Sequence, residues 1–285
     1  MNPLFPAVRP SWLKVRAPSG DTVEKVAETL HRHGLRTVCR DARCPNVGEC
    51  WGEGTATVLI LGDMCTRDCR FCSVAPGTPR PPDPYEPGRV ARAAAELGWK
   101  HVVVTSVTRD DLEDGGASQF VAVVREIRKR APSSAVELLV PDFGGNREAL
   151  EKVVAARPQV LAHNVETIPR LYPVVRPGAI YSRSLELLAR AHVLAPRMEL
   201  KSGLMVGFGE SGEELVSALE DLHAVGVRSV TLGQYLPPSR NHLPVQEYLT
   251  VEAFLELEDA ARKIGFARVA AGPLVRSSYR AGTGS

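Results

Sequence analysis

The cysteines are gathered in one short segment and form two groups of three. All six in a chain of 285 residues lie between positions 39 and 72: Cys39, Cys44 and Cys50, then Cys65, Cys69 and Cys72. Six thiols could pair as three disulfides, but a chain of this size does not need disulfides, and we expect a compartment that keeps thiols reduced. The grouping therefore favours metal binding.

The second group has the spacing Cys-x3-Cys-x2-Cys, which lets one loop place three thiolates around a single inorganic core. A tetrahedral zinc site or an electron-transfer iron–sulfur cluster normally takes four protein ligands. A [4Fe–4S] cluster with only three leaves one iron open to a substrate. The alternative is a zinc loop that takes a fourth ligand from elsewhere in the chain.

The stretch "MCTRDCRFC" resembles the signature of the radical S-adenosylmethionine (radical SAM) superfamily, including the aromatic Phe71 before the last cysteine. The resemblance implies that Cys65, Cys69 and Cys72 are catalytic and hold a cluster whose open iron is chelated by SAM. An electron from such a cluster cleaves SAM to methionine and a 5′-deoxyadenosyl radical, which abstracts hydrogen from unactivated carbon.

The first group has a different spacing, Cys-x4-Cys-x5-Cys, which predicts a separate cluster that again lacks a fourth ligand. A triplet placed just before the radical SAM motif resembles the lipoyl synthase family, as does "RSSY" at 276–279. In that family a serine of this motif ligates an auxiliary cluster. The resemblance implies that Cys39, Cys44, Cys50 and Ser278 hold a second [4Fe–4S] cluster. The neighbouring Ser277 is the alternative ligand, and a plain C-terminal turn is the alternative reading of the two serines.

A serine ligand makes chemical sense if the second cluster is consumed. Iron–sulfur iron prefers soft thiolate, so a hard oxygen is the ligand most readily released. In lipoyl synthases the auxiliary cluster is itself the sulfur source. The resemblance covers nearly the whole chain, through "VTSVTRDDLEDGGA", "AHNVETIPRLYPVVRPGAIYSRSLELL" and "LGQYLPPSRNHLPV".

Strands and helices alternate six times beyond the cysteines. The apolar runs predict strands at 56–62, 101–107, 135–141, 159–166, 198–208 and 227–236. Amphipathic patterns predict helices at 89–98, 117–130, 146–156, 184–194, 211–226 and 251–265. Such alternation indicates right-handed βαβ units and a parallel sheet. We therefore predict an α/β fold, an open partial TIM barrel of the (β/α)6 radical SAM type.

Polar residues follow several of the predicted strands, where parallel barrels place their chemistry. The resemblance implies that Phe71 meets the adenine of SAM, that Thr105 and Ser106 lie near its methionine moiety, and that Asn164 and Glu166 contact SAM or a substrate carbonyl. His163 stands at no ligand spacing from another histidine, which favours a packing or hydrogen-bonding role. The run 109–116, "RDDLEDGG", is interpreted as a solvated loop that caps the next helix.

Three segments are expected within one catalytic unit. Residues 1–54 form an N-terminal extension with the first cysteine group, 55–266 the barrel, and 267–285 a C-terminal segment carrying the serine ligand. A helix is predicted within 19–35 from its Ser/Asp start, apolar face and Gly stop. The proline-rich stretch 75–88 is predicted to be an extended connector.

The charge balance of 35 basic and 33 acidic residues gives a formal net charge of +2, which does not favour nucleic-acid binding. No apolar run approaches the roughly 18 residues that span a bilayer, so we expect a cytoplasmic protein without a membrane partner.

The lipoyl synthase resemblance implies insertion of two sulfur atoms, at C6 and C8 of a protein-bound octanoyl-lysine. The implied partners are lipoyl domains of 2-oxoacid dehydrogenases, the glycine-cleavage carrier protein, a flavodoxin- or ferredoxin-type reductant and an iron–sulfur assembly factor. A monomer is expected. The alternatives are another two-cluster radical SAM enzyme, such as a methylthiotransferase, and a non-catalytic iron–sulfur or zinc protein.

Overall fold

One large sheet dominates the fold. The computed structural model describes residues 10–13, 18–42, 44–279 and 281. Its main sheet has the strand order β1-β2-β5-β6-β7-β8-β9-β10, and a separate pair joins β3 to β4. The strands are β1 Arg36–Thr37, β2 Thr57–Ile60, β3 Met64–Cys65, β4 Ala75–Pro76, β5 His101–Ser106, β6 Ala135–Leu139, β7 Val160–Ala162, β8 Glu199–Val206, β9 Ser229–Gln234 and β10 Arg268–Gly272.

Helices connect the parallel strands and precede the sheet. They are α1 Asp21–Arg32, α2 Val38–Asp41, α3 Val47–Gly52, α4 Glu86–Leu97, α5 Ala117–Arg130, α6 Arg147–Ala155, α7 Tyr172–Val175, α8 Tyr181–Leu194, α9 Gly212–Ala224 and α10 Val251–Ile264. Short 3-10 turns lie at Ser11–Leu13, Phe143–Gly145 and Pro169–Leu171. Among the helices within these ranges, none is both long and apolar enough to cross a bilayer.

All six predicted strands form, as β2, β5, β6, β7, β8 and β9, and each is followed by its predicted helix. They pair in parallel, and only β1 runs antiparallel, beside β2. The predicted open α/β barrel is confirmed. The predicted range 159–166 is longer than β7 because the chain leaves the sheet after Ala162 and touches it again at one bridge, between Glu166 and Leu204.

The sheet also extends past the predicted barrel. Strand β10 pairs in parallel with β9, although the sequence placed residues from 267 onward in a separate C-terminal segment. Its run "RVAAG" is short and carries small residues, so it gives little strand signal. The predicted connector 75–88 contains β4 and no helix before Glu86, where α4 begins three residues earlier than the sequence predicts. The predicted domain boundaries stay a prediction, and positions 1–9, 14–17, 43, 280 and 282–285 within the outer two segments lie outside the described residues.

Alternate residues of each strand face opposite sides of the sheet, as the two-residue period of a strand requires. In β5, Val102 and Val104 belong to the core beneath the helices, whereas Thr105 faces the barrel interior. Helix α5 contributes to the same core through Phe120 and Ile127, at a spacing that puts both on one helical face. This layer of apolar side chains between helices and sheet fixes the position of every strand end.

A buried ionic group fills part of the barrel interior. Glu137 of β6 accepts hydrogen bonds from Lys201 Nζ at 2.9 Å and from His101 Nε2 at 3.1 Å. Burial raises the pKa of Glu137, but Lys201 and His101 outweigh that effect and the pKa is lowered. Glu137 therefore stays ionised and paired, which a buried carboxylate requires.

Candidate active site

A cavity of about 800 Å³ lies at the carboxyl ends of the parallel strands. Most of the residues that the sequence singled out line it, namely Cys44, Cys65, Cys69, Phe71, Cys72, Thr105, Ser106, Asn164, Glu166, Ser277 and Ser278. Cys39 is buried and instead lines, with Cys44, an adjoining cavity of about 400 Å³. Cys50 is half-buried on α3 and lines neither. The fold thus brings the two cysteine groups and the C-terminal serines to one place.

The second cysteine group lies on a loop between β3 and β4, called the cluster loop here (residues 64–76). Backbone N–H groups of Arg67 and Thr108 donate to Cys65 Sγ at 3.4 and 3.3 Å. The N–H of Cys72 donates to the carbonyl of Cys69 at 2.9 Å, which closes a tight turn. N–H donors aimed at a cysteine sulfur are the outer contacts that tune an iron–sulfur cluster.

Arg67 fixes the cluster loop to the loops that follow β5 and β6. Its guanidinium donates to both carboxylate oxygens of Asp110 at 2.8 Å and to Asp142 at 2.6 Å. The Arg67 and Asp142 side chains are 7% and 1% exposed, so water screens this pair little. Burial raises the pKa of Asp142, but Arg67 outweighs it and the pKa is lowered.

The run 109–116 is more than the solvated loop predicted from sequence. Asp114 does cap the next helix, since it accepts from the N–H of Ser118 at 2.8 Å. Arg109, however, is buried, forms a two-point ion pair with Asp111 and donates to the carbonyl of Leu61 at 3.2 Å. Together with Asp110, these contacts make the run a support for the cluster loop.

Arg176 is a site residue that sequence reasoning missed. Its Nη1 donates to the carbonyls of Asn164 and Val165 at 2.9 and 3.1 Å and to the hydroxyl of Tyr172 at 3.1 Å. Burial raises the pKa of Cys69, whereas the nearby positive charge of Arg176 lowers it. No motif spacing marks this residue; its only signal is a charge between the apolar "YPVV" and a proline.

Three polar atoms on the cavity wall are buried without a hydrogen-bond partner among the described residues. They are Ser106 Oγ, Asn164 Oδ1 and Arg176 Nε. Buried polar groups in proteins are almost always paired, so unpaired ones that converge on a cavity indicate that a polar ligand binds there. The set offers a hydroxyl, a carbonyl oxygen and a cationic N–H.

Glu166 has an unusual backbone conformation at the same wall. Its φ is 66°, in the left-handed region that residues with a side chain rarely adopt. Its Oε1 accepts from Asn164 Nδ2 at 3.1 Å. Burial raises the pKa of Glu166, while Arg176 and Asn164 lower it by a smaller amount. Strain of this kind persists at sites where function requires a particular side-chain position.

The other strand-end residues have mixed roles. Thr105 Oγ1 lines the cavity but donates to the carbonyl of Leu139 at 2.9 Å. His163 Nδ1 donates to the Val140 carbonyl at 2.8 Å, and its Nε2 accepts from Ser184 Oγ at 2.9 Å. Burial lowers the pKa of His163 to about 4, so the ring is neutral. The hydrogen-bonding role predicted for His163 is confirmed, because both ring nitrogens have a partner. Phe71 packs against the cluster of Val175, Phe208 and Tyr235.

The first cysteine group is held by two short helices. Cys39 lies on α2 and Cys50 on α3, and the N–H of Cys44 donates to the Cys39 carbonyl at 3.0 Å. Thr37 accepts from the N–H of Arg40 and so caps α2. Burial raises the pKa of Cys44, against the lowering effect of the Asn46 N–H and of Arg276. Arg276 belongs to the "RSSY" run, which places that run beside the first group.

Residues 274–279 of the C-terminal segment are fixed to this region. Asn46 Nδ2 donates to the carbonyl of Leu274 at 2.7 Å, and the Tyr279 hydroxyl donates to Glu49 at 3.0 Å. The hydroxyls of Thr57 and Ser278 are 2.7 Å apart. A side chain at Gly233 would place its Cβ 2.1 Å from the Val275 carbonyl oxygen, so only glycine permits this approach at the end of β9.

The six cysteines form no disulfide with one another in the structure. Burial raises the pKa of Cys72 to about 12, so this thiol is protonated and would have to lose its proton to bind a metal. Among the described residues, no three His, Cys, Asp or Glu side chains lie close enough to share one metal ion. In a tetranuclear cluster each thiolate bonds a different iron, so its ligands stand farther apart than those of a single ion.

Comparison with known proteins agrees with this geometry. A profile of the radical SAM superfamily matches residues 59–222, more than half of the chain. Lipoyl synthase of Methylococcus capsulatus is 54% identical over 99% of this chain and 88% of its own length. Those of Rubrobacter xylanophilus and Caldanaerobacter subterraneus are 52% and 53% identical over 96% and 97% of this chain. This chain belongs to the lipoyl synthase family. As a radical SAM lipoyl synthase it is a sulfur-inserting enzyme, of a superfamily that uses a [4Fe–4S] cluster and SAM.

Solved structures similar to this lipoyl synthase share its fold at low identity. Streptococcus suis SuiB bound to precursor peptide SuiA superposes with a TM-score of 0.61 at 12% identity, over 87% of this chain and 52% of SuiB. This chain therefore spans about half the length of SuiB. Methylornithine synthase gives a TM-score of 0.55 at 14% identity, over 87% of this chain and 82% of its own. At such identities the likeness concerns the fold alone.

Proposed function

We propose that this lipoyl synthase inserts two sulfur atoms, at C6 and C8 of an octanoyl group amide-linked to a lysine of a lipoyl carrier domain, and that a second [4Fe–4S] cluster supplies the sulfur. The observation that carries the proposal is the cavity lined by Cys65, Cys69 and Cys72, by Cys44 of the first group and by the C-terminal serines. Hydrogen removal and sulfur delivery then occur within one enclosed space.

Cys65, Cys69 and Cys72, the second cysteine group, would hold the cluster that binds SAM, which is called the first cluster here. Arg67 keeps their loop in place. When bound, that cluster and SAM supply the electron and the radical chemistry that removes hydrogen from an unactivated carbon. The chain supports such a ligand with the three unpaired polar atoms of the cavity wall. The Arg176 guanidinium suits the methionine carboxylate of SAM, and Asn164 Oδ1 suits its ammonium group.

The remaining predicted contacts follow the same wall. Glu166 adds an acceptor beside Asn164, and Ser106 adds a hydroxyl that can donate or accept. Thr105 shapes the wall, since its hydrogen is engaged by a backbone carbonyl. Phe71, held by its aromatic neighbours, offers an apolar face for the adenine.

Cys39, Cys44, Cys50 and Ser278 would hold the second cluster, which is consumed as a substrate. Three thiolates match the softness of iron in such a cluster, whereas the serine oxygen is hard and detaches most readily. Ser277 and Ser278 both line the cavity. The bond to buried Thr57 gives the Ser278 oxygen a fixed position, which favours it as the ligand.

The cavity also suits an acyl chain. Its wall includes the apolar side chains of Leu139, Val140, Leu236, Pro237 and Pro238. A volume of about 800 Å³ is within the range of protein sites for small ligands. An octanoyl group has no polar atom beyond its amide, so its position must come from such contacts.

The proposed partners follow from this chemistry. The substrates are octanoylated lipoyl domains of 2-oxoacid dehydrogenases and the glycine-cleavage carrier protein. Each SAM cleavage takes one electron, which a flavodoxin- or ferredoxin-type reductant supplies. A consumed cluster must be rebuilt by an iron–sulfur assembly factor. The enzyme acts as a cytoplasmic monomer, without nucleic acid or membrane.

Anaerobic reconstitution tests the proposal directly. We expect about eight irons and eight labile sulfides per chain, the content of two tetranuclear clusters. Mixing with SAM, dithionite and an octanoylated lysine peptide should yield a dithiolated peptide by mass spectrometry. A content of about four irons, or stoichiometric zinc, would contradict the proposal.

Variants of the two serines test the ligand. Ser278→Cys should bind iron through a softer thiolate and keep the second cluster intact, yet slow or stop sulfur transfer. Ser278→Ala should leave a less persistent second cluster and an unchanged first one. Ser277→Ala is the matched control and should resemble the unmodified enzyme in Mössbauer spectra and product yield. Full dithiolation by Ser278→Cys, with its thiolate shown to bind iron, would contradict the detachable-ligand role.

A further inference from the structure

Thr57 lies against the serine that is the proposed detachable ligand. Thr57 is the first residue of β2, and it is 4% exposed. Its Oγ1 is 2.7 Å from Ser278 Oγ, across 221 positions of sequence. Thr57 is two residues from Leu59, which lines the cavity, so both side chains face the barrel interior. The contact therefore joins a buried threonine to a half-buried serine that lines the cavity.

Contacts of the residues that precede Ser278 hold it in place. Asn46 fixes the segment at Leu274, and the close approach at Gly233 seats Val275 on the end of β9. Ser278 thus reaches Thr57 on a segment that other contacts already position. The hydrogen bond from Thr57 is therefore not the only contact that positions Ser278, and it can instead change how strongly the serine oxygen binds iron.

We propose that Thr57 is a positioning residue for sulfur insertion, whose hydrogen bond to Ser278 makes the serine oxygen easier to detach from iron. This inference rests on the proposed function. Two neutral hydroxyls can donate in either direction, but a serine oxygen bound to iron as an alkoxide has no hydrogen left. Thr57 must then be the donor.

The direction of that bond sets its effect. A ligand oxygen that accepts a hydrogen bond has less electron density to share with the metal, so its bond to iron is weaker. The same donor stabilises the negative oxygen while that bond breaks, and the released alkoxide then takes up one proton from water to become the serine hydroxyl. Because Thr57 is buried, water competes little for its side of this part-buried hydrogen bond.

A purely structural role for Thr57 predicts the opposite result. If the hydroxyl only anchored the segment, its removal would loosen Ser278, and the second cluster would lose iron faster. If the hydroxyl weakens the iron–oxygen bond, its removal makes the second cluster more persistent and slows sulfur transfer. The sign of the change in iron loss therefore separates the two roles.

Thr57→Val keeps the shape of the side chain and removes the donor. We expect iron loss from the second cluster to a chelator, followed by Mössbauer spectroscopy without SAM, to slow by roughly tenfold, the effect of about one hydrogen bond, and sulfur insertion to slow by a similar factor. Formation of 5′-deoxyadenosine should be unchanged. Thr57→Ser should restore both rates. Thr29→Val, at a buried threonine of α1 outside the cavity, is the matched control and should behave as the unmodified enzyme.

Faster or unchanged iron loss in Thr57→Val overturns the inference. If that variant has a lowered melting temperature, Thr57→Ser and Thr57→Ala, which differ by one hydroxyl, replace it, and iron loss must be slower in the alanine form. The proposed function fails separately, if the unmodified enzyme holds only one cluster or if Ser278→Ala leaves the second cluster unchanged. If the unmodified enzyme holds two clusters and Ser278→Ala alters the second one, unchanged iron loss in Thr57→Val contradicts only the role of Thr57.

Discussion

The two cysteine regions are built in different ways. In the cluster loop, three cysteines lie within eight residues, and Arg67 ties the loop to Asp110 and Asp142 beside it. The other, called the auxiliary region here (residues 39–50 and 274–279), joins two short helices to the far end of the chain. Its contact between Asn46 and Leu274 spans 228 positions. A cluster kept through turnover suits a local, firmly tied loop, whereas a consumed cluster needs a ligand that can leave.

The largest expected difference between the regions is in activity. Cys65→Ala, Cys69→Ala or Cys72→Ala should abolish 5′-deoxyadenosine formation, because the remaining ligands cannot retain the first cluster. Cys39→Ala, Cys44→Ala or Cys50→Ala should spare some SAM cleavage and eliminate sulfur insertion. Both products are measured by mass spectrometry under anaerobic conditions. Identical losses in well-folded variants of both groups would break the proposed division of roles.

The second-largest expected effect concerns the ion pairs that Arg67 of the cluster loop forms with Asp110 and Asp142. Arg67→Ala leaves Asp142 buried without its nearest cation, and breaking such a pair costs about 3 kcal/mol or more. We expect a lower melting temperature and loss of the first cluster's spectrum before the second's. Arg170→Ala, which removes an exposed pair with Glu214, is the matched control and should change little. Equal destabilisation by the two variants would count against a special role for Arg67.

Acid should weaken the barrel wall beside the cluster loop. Burial lowers the pKa of His163 to about 4, below the ordinary value of about 6.5. Between these values the unfolded chain binds a proton that the folded chain does not. The effect of His163 on the free energy of unfolding is therefore most favourable above about pH 6.5. The free energy of unfolding falls below that pH, by about 2 kcal/mol at about pH 5.

His163→Gln tests this pH dependence, since an amide can donate to Val140 and accept from Ser184 without titrating. Urea unfolding at neutral pH and at about pH 5 should show a smaller loss of stability in the variant by about 2 kcal/mol. Parallel losses in both proteins would assign the acid sensitivity to other groups.

The smallest expected effect concerns the hydrogen bond between Asn46 and Leu274 in the auxiliary region. Asn46→Ala removes one side-chain hydrogen bond to the Leu274 carbonyl and should cost about 1 kcal/mol. The second cluster should lose iron faster, while the first keeps its spectrum. Iron release to a chelator measures this, with Asn241→Ala, an exposed asparagine outside the cavity, as the control. Loss of the first cluster instead would show that the two regions are not independent.

Sequence reasoning found the elements with strong periodic signals and missed those defined by distant contacts. The six buried parallel strands and their helices follow from apolar periodicity, and helix α5 has the predicted bounds, Ala117–Arg130. Strand β10 was missed because "RVAAG" becomes a strand only when β9 offers an edge. The roles of Arg67 and Arg176 were missed because neither a position within the cysteine motif nor a charge between apolar residues and a proline shows which side chains the arginine contacts.

The sequence by itself determined the candidate chemistry: three thiols at spacings that fit one loop and a second triplet with its own spacing, whereas Ser278 entered only through the resemblance to the lipoyl synthase family. Those inferences depend on residue type and on short separations, which the chain fixes before it folds. The tertiary structure decided the meeting of distant parts: Ser278 beside Thr57, the C-terminal segment over Gly233, and Arg176 beside Cys69. Such contacts depend on the packing of every strand between them, so no local pattern encodes them.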